Sequence, residues 1–86
     1  MGRVVTMNKT LIPADQRAQY LEHVRKRRDH YRAGNCNFWV FEEAGQSGSF
    51  LEFTEAKDVE TLTGAVSHAP GVTAGIPRVY QEVEIG

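Results

Sequence analysis

Between Asn35 and Glu55 the chain reads NCNFWVFEEAGQSGSFLEFTE, and this stretch holds all four phenylalanines and the single tryptophan. Two runs of strand-forming residues, Cys36 to Glu43 and Ser49 to Glu55, flank a Gly/Ser loop of hairpin length, the local signature of an antiparallel pair. In the first run Cys36, Phe38 and Val40 face one way and Asn37, Trp39 and Phe41 the other. In the second, Phe50, Glu52 and Thr54 oppose Leu51, Phe53 and Glu55. A sheet with water behind it shows one polar face, whereas neither face of this hairpin is polar throughout. Both sides therefore need cover.

The flanking segments supply cover for one side. Arg3 to Ile12 reads as a strand, with Val4, Thr6, Asn8 and Thr10 alternating against Val5, Met7, Lys9 and Leu11. Pro13 marks a helix start, where its missing N–H goes unused, and Asp15 suits the positive end of the dipole. From Ala14 to Ala33 the pattern is helical, and Ala14, Arg17, Tyr20, Leu21, Val24, Arg28 and Tyr31 project over one broad side. The arginine stems on that side lie along the core edge with their guanidinium groups in water, or else they line a polar pocket under the helix. Gly34 and Asn35 end the helix. Asp58 caps a second helix, Val59 to Ala69, with Val59, Leu62, Val66 and Ala69 on one side, and Pro70 and Gly71 stop it. Pro70 to Pro77 reads as a Gly/Pro loop, and Arg78 to Ile85 as a last strand with Val79, Val83 and Ile85 on one face.

The order βαββαβ over a single domain, residues 1–86, is an α+β, ferredoxin-like arrangement: a four-stranded antiparallel sheet with both helices on one face. The other face is left apolar, beyond what a soluble monomer tolerates. A second copy is the simplest cover, giving a twofold homodimer packed sheet to sheet.

Charge and residue types exclude several functions. Ten Lys/Arg against eleven Asp/Glu leave a net charge of −1, so no overall field steers the chain to nucleic acid or to anionic lipid. Arg25, Lys26, Arg27 and Arg28 fan around the helix without forming a stripe. SGSFLEFTE shares Gly and Phe spacing with the third strand of RNA-recognition domains, but it lacks the leading basic residue and sets Glu52 and Glu55 where phosphates would come. No apolar run approaches the roughly 20 residues of a membrane helix, and the first residues do not form a leader. With one cysteine, Cys36, no internal disulfide can form, which fits a reducing cytoplasm. No metal site is expected: there is no CxxC, and His23 and His30, seven residues apart, stand about 10 Å from each other along the helix. These two and His68 read as surface histidines.

Glu52 is the candidate for chemistry. Flanked by aromatic and aliphatic residues, it would lie in a poorly hydrated space if its face is the one under the helices, where burial favours a general base. Arg28 is its expected counter-charge. The alternative is a structural ion pair, or a glutamate that reaches water.

Asn8 just before KTLIP, the FLEFTEAKD passage into the second helix, the two-sided strands and the element order together resemble the dimeric α/β-barrel superfamily. That group includes antibiotic-biosynthesis monooxygenases and haem-degrading monooxygenases, whose sheets pack back to back and whose pockets lie between helices and sheet. The resemblance covers nearly the whole chain. Haem-degrading members carry Asn on the first strand, Trp late on the third and His on the second helix; here Asn8 fits, Thr54 stands near the Trp position, and His68 ends a shorter helix. No cofactor is therefore expected. Cofactor-free oxygenases of the group surround a phenolic substrate with Asn, Trp and Arg, types found here as Asn8, Trp39 and Arg28. The resemblance implies a helix-side face of Thr6, Asn8, Phe50, Glu52 and Thr54, joined by Trp39, with the facing of the second strand left open. The expectation is a homodimer binding a small aromatic or polyketide-like ligand, as a cofactor-independent monooxygenase-like enzyme or as a non-catalytic or structural dimer. In the enzyme, Glu52 is the base, Arg28 and Asn8 hold an oxyanion, and Tyr20, Tyr31, Trp39, Phe50 and Thr54 contact the ligand.

Overall fold

A proline at one end and a left-handed residue at the other bracket the longest element. After Pro13 (φ −60°) comes a single 3-10 turn, Ala14–Gln16, and then α1, Arg17–Ala33. At its far end Asn35 takes φ 63°, while Cys36 N–H donates to Tyr31 O at 2.8 Å and Asn35 N–H to Arg32 O at 3.2 Å. This paired closure satisfies carbonyls that a helix end otherwise leaves open, and it draws Cys36 and Tyr31 into the same core.

The computed structural model describes residues 2–69 and 78–86. The strands are β1 (Val4–Leu11), β2 (Asn37–Glu42), β3 (Ser49–Ala56) and β4 (Tyr80–Gln81), and the second helix is α2 (Val59–Ser67). All pair antiparallel in the order β2-β3-β1-β4, an α+β architecture with the strand order expected of a ferredoxin-like sheet. The predicted Pro70 to Pro77 loop lies outside the described residues.

Register decides which side chains share a face. Val4, Thr6 and Asn8 stand across from Ala56, Thr54 and Glu52, and Phe38 and Val40 from Thr54 and Glu52. On this side Phe50, Glu52, Thr54 and Ala56 are all buried, and Leu62 and Val66 of α2 and Tyr31 of α1 close over them. The opposite side carries Val5, Met7, Leu11, Trp39, Phe41, Leu51 and Phe53. There Met7 is 45%, Trp39 44% and Phe41 57% exposed, and Phe41 meets Phe53 edge-on at 5.6 Å.

The expected boundaries of the last strand and the second helix shift by two residues or more. The last strand was expected from Arg78 to Ile85 but pairs only at Tyr80 and Gln81, with Glu82 N–H reaching Arg3 O at 2.9 Å. The reason is that β1 starts at Val4, so residues beyond Glu82 pass the end of their partner. Helix α2 stops at Ser67, two residues earlier than expected.

The hairpin between β2 and β3 is fixed to the end of β1. Gly48 has φ +87°, accepts from Ile12 N–H at 2.8 Å, and would bring a Cβ within 2.5 Å of Ile12 O. Glu42 tightens the same corner: it binds Arg17 through both oxygens (2.6 and 2.9 Å) and accepts from Gly48 N–H. The Arg17 hydrogen bonds, with help from that N–H, hold its carboxyl down at about 2.

Asp58 caps α2 by accepting from Thr61 N–H at 2.7 Å, a bond that lowers its carboxyl below the ordinary 3.8. A lowered folded-state value stabilises the fold above the unfolded value and is lost as pH falls through the folded one. Asp58→Ala is expected to lower the melting temperature at pH 7 by a few degrees, and the gap to wild type should close in thermal melts run progressively below pH 3.8. Asp58→Asn, whose amide oxygen caps at any pH, is expected to stay close to wild type at pH 7 and to keep the cap's contribution where wild type loses it at low pH.

Candidate functional site

Alternation on β3 sends Glu52 to the helix-covered side, into a layer otherwise made of Phe50, Thr54, Tyr20 and Tyr31. A lone carboxylate there would be costly, and α1 supplies its partners. Arg27 Nε donates to Oε1 at 3.1 Å and Nη2 to Oε2 at 3.0 Å, while the Tyr20 hydroxyl donates to Oε2 at 2.7 Å. The side chains of Arg27 and Glu52 are only 9% and 10% exposed. Arg27 Nη1 has no hydrogen-bond partner among the described residues. No fully buried side-chain nitrogen or oxygen is left unsatisfied among them.

Aromatic rings frame the cluster. Tyr20 packs on Phe50 with centroids 4.6 Å apart, and Tyr31 on Phe38 at 5.1 Å. The Arg17 guanidinium lies over Phe50 at 5.3 Å, and that of Arg27 near the Tyr20 ring at 5.9 Å. Burial first, and then the hydrogen bond to Glu52, pushes the Tyr20 phenol well above its ordinary range. Tyr31 is raised as well, mainly by burial. Neither phenol is a ready proton donor near neutral pH.

Of the expected site residues, the fold brings together Tyr20, Tyr31, Phe50, Glu52 and Thr54. Asn8 stands directly across from Glu52 on the same face, but it is exposed. Two placements are corrected. Arg28 does not meet Glu52; its nearest acid is Asp29, at 3.4 Å on the surface. Trp39 lies on the opposite face of the sheet, because β2 turns Phe38 and Val40 toward the helices.

Arg27 is the residue that the sequence reading missed. The buried stripe of α1 is Tyr20, Val24, Arg27 and Tyr31, which at 100° per residue spans only about 60°. Leu21 and Arg28 fall some 70–90° from the centre of that stripe, and Leu21 is 38% exposed. Tyr20 and Tyr31, eleven residues apart, define the line by themselves; following it would have found Arg27.

His30, expected on the surface, is half-buried, and its Nε2 lies 2.7 Å from Ala65 O, tying α1 to α2. His68 Nδ1 sits 2.9 Å from Gly64 O within its own helix end. Among the described residues, no group of three His, Cys, Asp or Glu could hold a metal, and no helix is long and apolar enough to cross a membrane.

Comparison with protein-family models, curated proteins and solved structures finds no match to this chain. What the site can do is therefore argued from its geometry. A carboxylate accepting three hydrogen bonds from two donors has its oxygens committed to them and serves to position those donors.

Removing one partner of a buried pair leaves the other charge uncompensated. Glu52→Gln is expected to cost about 3 kcal/mol in denaturant unfolding, because Arg27 stays charged while the amide still accepts from Tyr20. With Arg27→Met in the same chain, the combined loss should fall short of the sum of the single losses by on the order of 1–3 kcal/mol.

Proposed function

We propose that the chain is a small-molecule-binding protein of the dimeric α/β-barrel kind, working as a homodimer. The observation that carries this reading is the division of labour between the two faces of one sheet. One face holds a buried charged cluster beneath α1, with Asn8 open to solvent beside it; the other exposes the large apolar side chains of Met7, Leu11, Trp39 and Phe41 beside a charged margin of Arg3, Glu55 and Glu82.

The bare face has the size of one side of a dimer. At the roughly 150–250 Å² that a large side chain offers, the exposed fractions of Met7, Leu11, Trp39, Phe41 and Tyr80 leave on the order of 500 Å² of apolar surface. A standard interface takes about 800 Å² from each partner, a little over half of it apolar. A second copy supplies a matching patch by symmetry.

On the helix side, Asn8 and Thr10 are less covered than the residues they face, Glu52 and Phe50. A small aromatic ligand entering along β1 would meet the Asn8 amide first and then the Tyr20–Phe50 rings. Glu52, held by Arg27 and Tyr20, anchors this wall, so the geometry favours binding over monooxygenase-like catalysis with Glu52 as base. The same saturated carboxylate favours a second reading, a purely structural dimer.

Trp39 is the only tryptophan and lies on the bare face. Its emission is expected to shift to the blue as protein concentration rises into the dimer range measured by sedimentation, and Phe41→Glu should abolish both the shift and the dimer. A single-chain species at all concentrations would overturn the homodimer. Ligand-observed NMR with a panel of small phenols and aromatic carboxylates is expected to find binders whose signal weakens in Asn8→Leu while the dimer persists. A dimer that binds none of the panel would leave the structural reading standing.

A further inference from the structure

The four consecutive basic residues of α1 fan around it, but arginines spaced further apart line up. Leu21, Arg25, Arg28 and Arg32 recur at steps of four, three and four residues, so at 100° per residue they lie within about 60° of one another. They form one ridge roughly 16 Å long. Arg17 begins the same ridge, turned in to Glu42 of β2. His30, whose ring touches Ala65 O of α2, stands directly opposite Leu21 on the cylinder, so the ridge faces away from α2. A dimer packed sheet to sheet turns its helices outward and leaves both ridges open.

Little on the chain answers these charges. Arg25 and Arg28 are held only by acids of their own helix, Glu22 at 2.6 Å and Asp29 at 3.4 Å, and Arg32 forms no ion pair among the described residues. The side chains of Arg25 and Arg28 are 59% and 41% exposed, where such pairs are weak and readily exchanged for another acid. Helix α1 holds six Lys/Arg and two Asp/Glu, against four and nine in the rest of the chain, so the cations are gathered here. Leu21 stands exposed at the head of the ridge, with the partly buried Val24 one turn on.

We propose that this ridge docks an acidic helix of another protein, which sets one apolar side chain against Leu21 and carboxylates against Arg25, Arg28 and Arg32. Arginine takes a carboxylate or a phosphate through two parallel hydrogen bonds, so the cations alone do not choose between them. Leu21 does: a phosphate backbone offers it no apolar contact, whereas protein interfaces set apolar residues within a polar rim. One leucine is also too small an anchor for a bilayer. Width decides as well. Glu22 and Asp29 border the ridge on its solvent side, about 80–100° from Leu21. A broad anionic surface meets these acids and is repelled, while a single helix fits between them and the sheet. Steps of four, three and four are those of a helix surface, so a second helix matches the ridge along its length. The inference stands apart from the ligand site and from the homodimer.

Fluorescence anisotropy on the full chain tests this. The probes are two labelled alanine-based helical peptides, with glutamates four, seven and eleven residues after a single leucine in one and before it in the other, so that both docking directions are sampled. A thymidine oligonucleotide and phosphatidylserine vesicles are the competing polyanions. Wild type is expected to bind one of the two peptides, more weakly at physiological than at low salt. Arg28→Glu should weaken that binding by at least about tenfold, whereas Lys26→Glu, the same change in net charge about 140° round the helix from Leu21, should leave it within about twofold. Leu21→Ala should weaken it by about threefold or more at either salt. None of these three residues is buried, and the variants are expected to melt with wild type, so lost binding reads as loss at the ridge. The docking is overturned if wild type binds neither peptide at low salt, or if Arg28→Glu and Lys26→Glu lose equally. It is also overturned if Leu21→Ala loses nothing, or if the oligonucleotide or the vesicles are held more tightly than the peptides.

Discussion

A carboxylate set in the middle of a small apolar layer has to be answered by the element packed on it, and Glu52 does this for the whole helix side of the sheet. Its two oxygens take three hydrogen bonds from α1, all of them made by residues on one narrow stripe. Leu62 and Val66, by contrast, are apolar contacts without direction. The charged cluster therefore sets the rotation of α1 about its axis: a turn of one residue would bring Arg28 where Arg27 is and lose the tyrosine hydroxyl. Such pairs add little net stability over an apolar filling of similar volume. The corner where Arg17 meets Glu42 fixes the same helix at its start, and the Asn35 closure fixes it at its end.

The two faces of the sheet follow different rules. Toward the helices the strands mix polar and apolar residues, and no fully buried side-chain nitrogen or oxygen described is left without a partner. Away from them Met7, Leu11, Trp39 and Phe41 are large, apolar and partly bare, beside the charged margin of Arg3, Glu55 and Glu82. An 86-residue chain has little core to spare, and two helices over four strands leave half the sheet uncovered. In the proposed homodimer a second copy covers that side and leaves the helix-side cluster free.

Much of this architecture is legible in the residues. The hairpin, the Pro13 start, the Asp58 cap and the two-sided strands come from local chemistry that tertiary packing did not override. The helix-side placement of Phe50, Glu52 and Thr54 follows from simple alternation. Three details did not come through, for different physical reasons. Only the resemblance puts Trp39 on the helix side; β2 has large groups on both sides, so periodicity leaves its facing open, and register against β3 decides it. Arg27 was missed because a run of four basic residues looks like solvated surface, and only the line joining two tyrosines marks one of them as buried. The last strand was overextended since pairing length depends on where β1 begins, which the alternation around Val83 does not encode.

Cys36 sits at the junction of these constraints, in the residue just after the left-handed turn and against Tyr31. It is 4% exposed, and burial raises its thiol above the usual range, so the native protein keeps it largely as the slow-reacting protonated form. Its access to reagent depends on the end of α1 lifting from the sheet. Alkylation of this one sulfur is therefore a natural clock for that opening, requiring no engineered label.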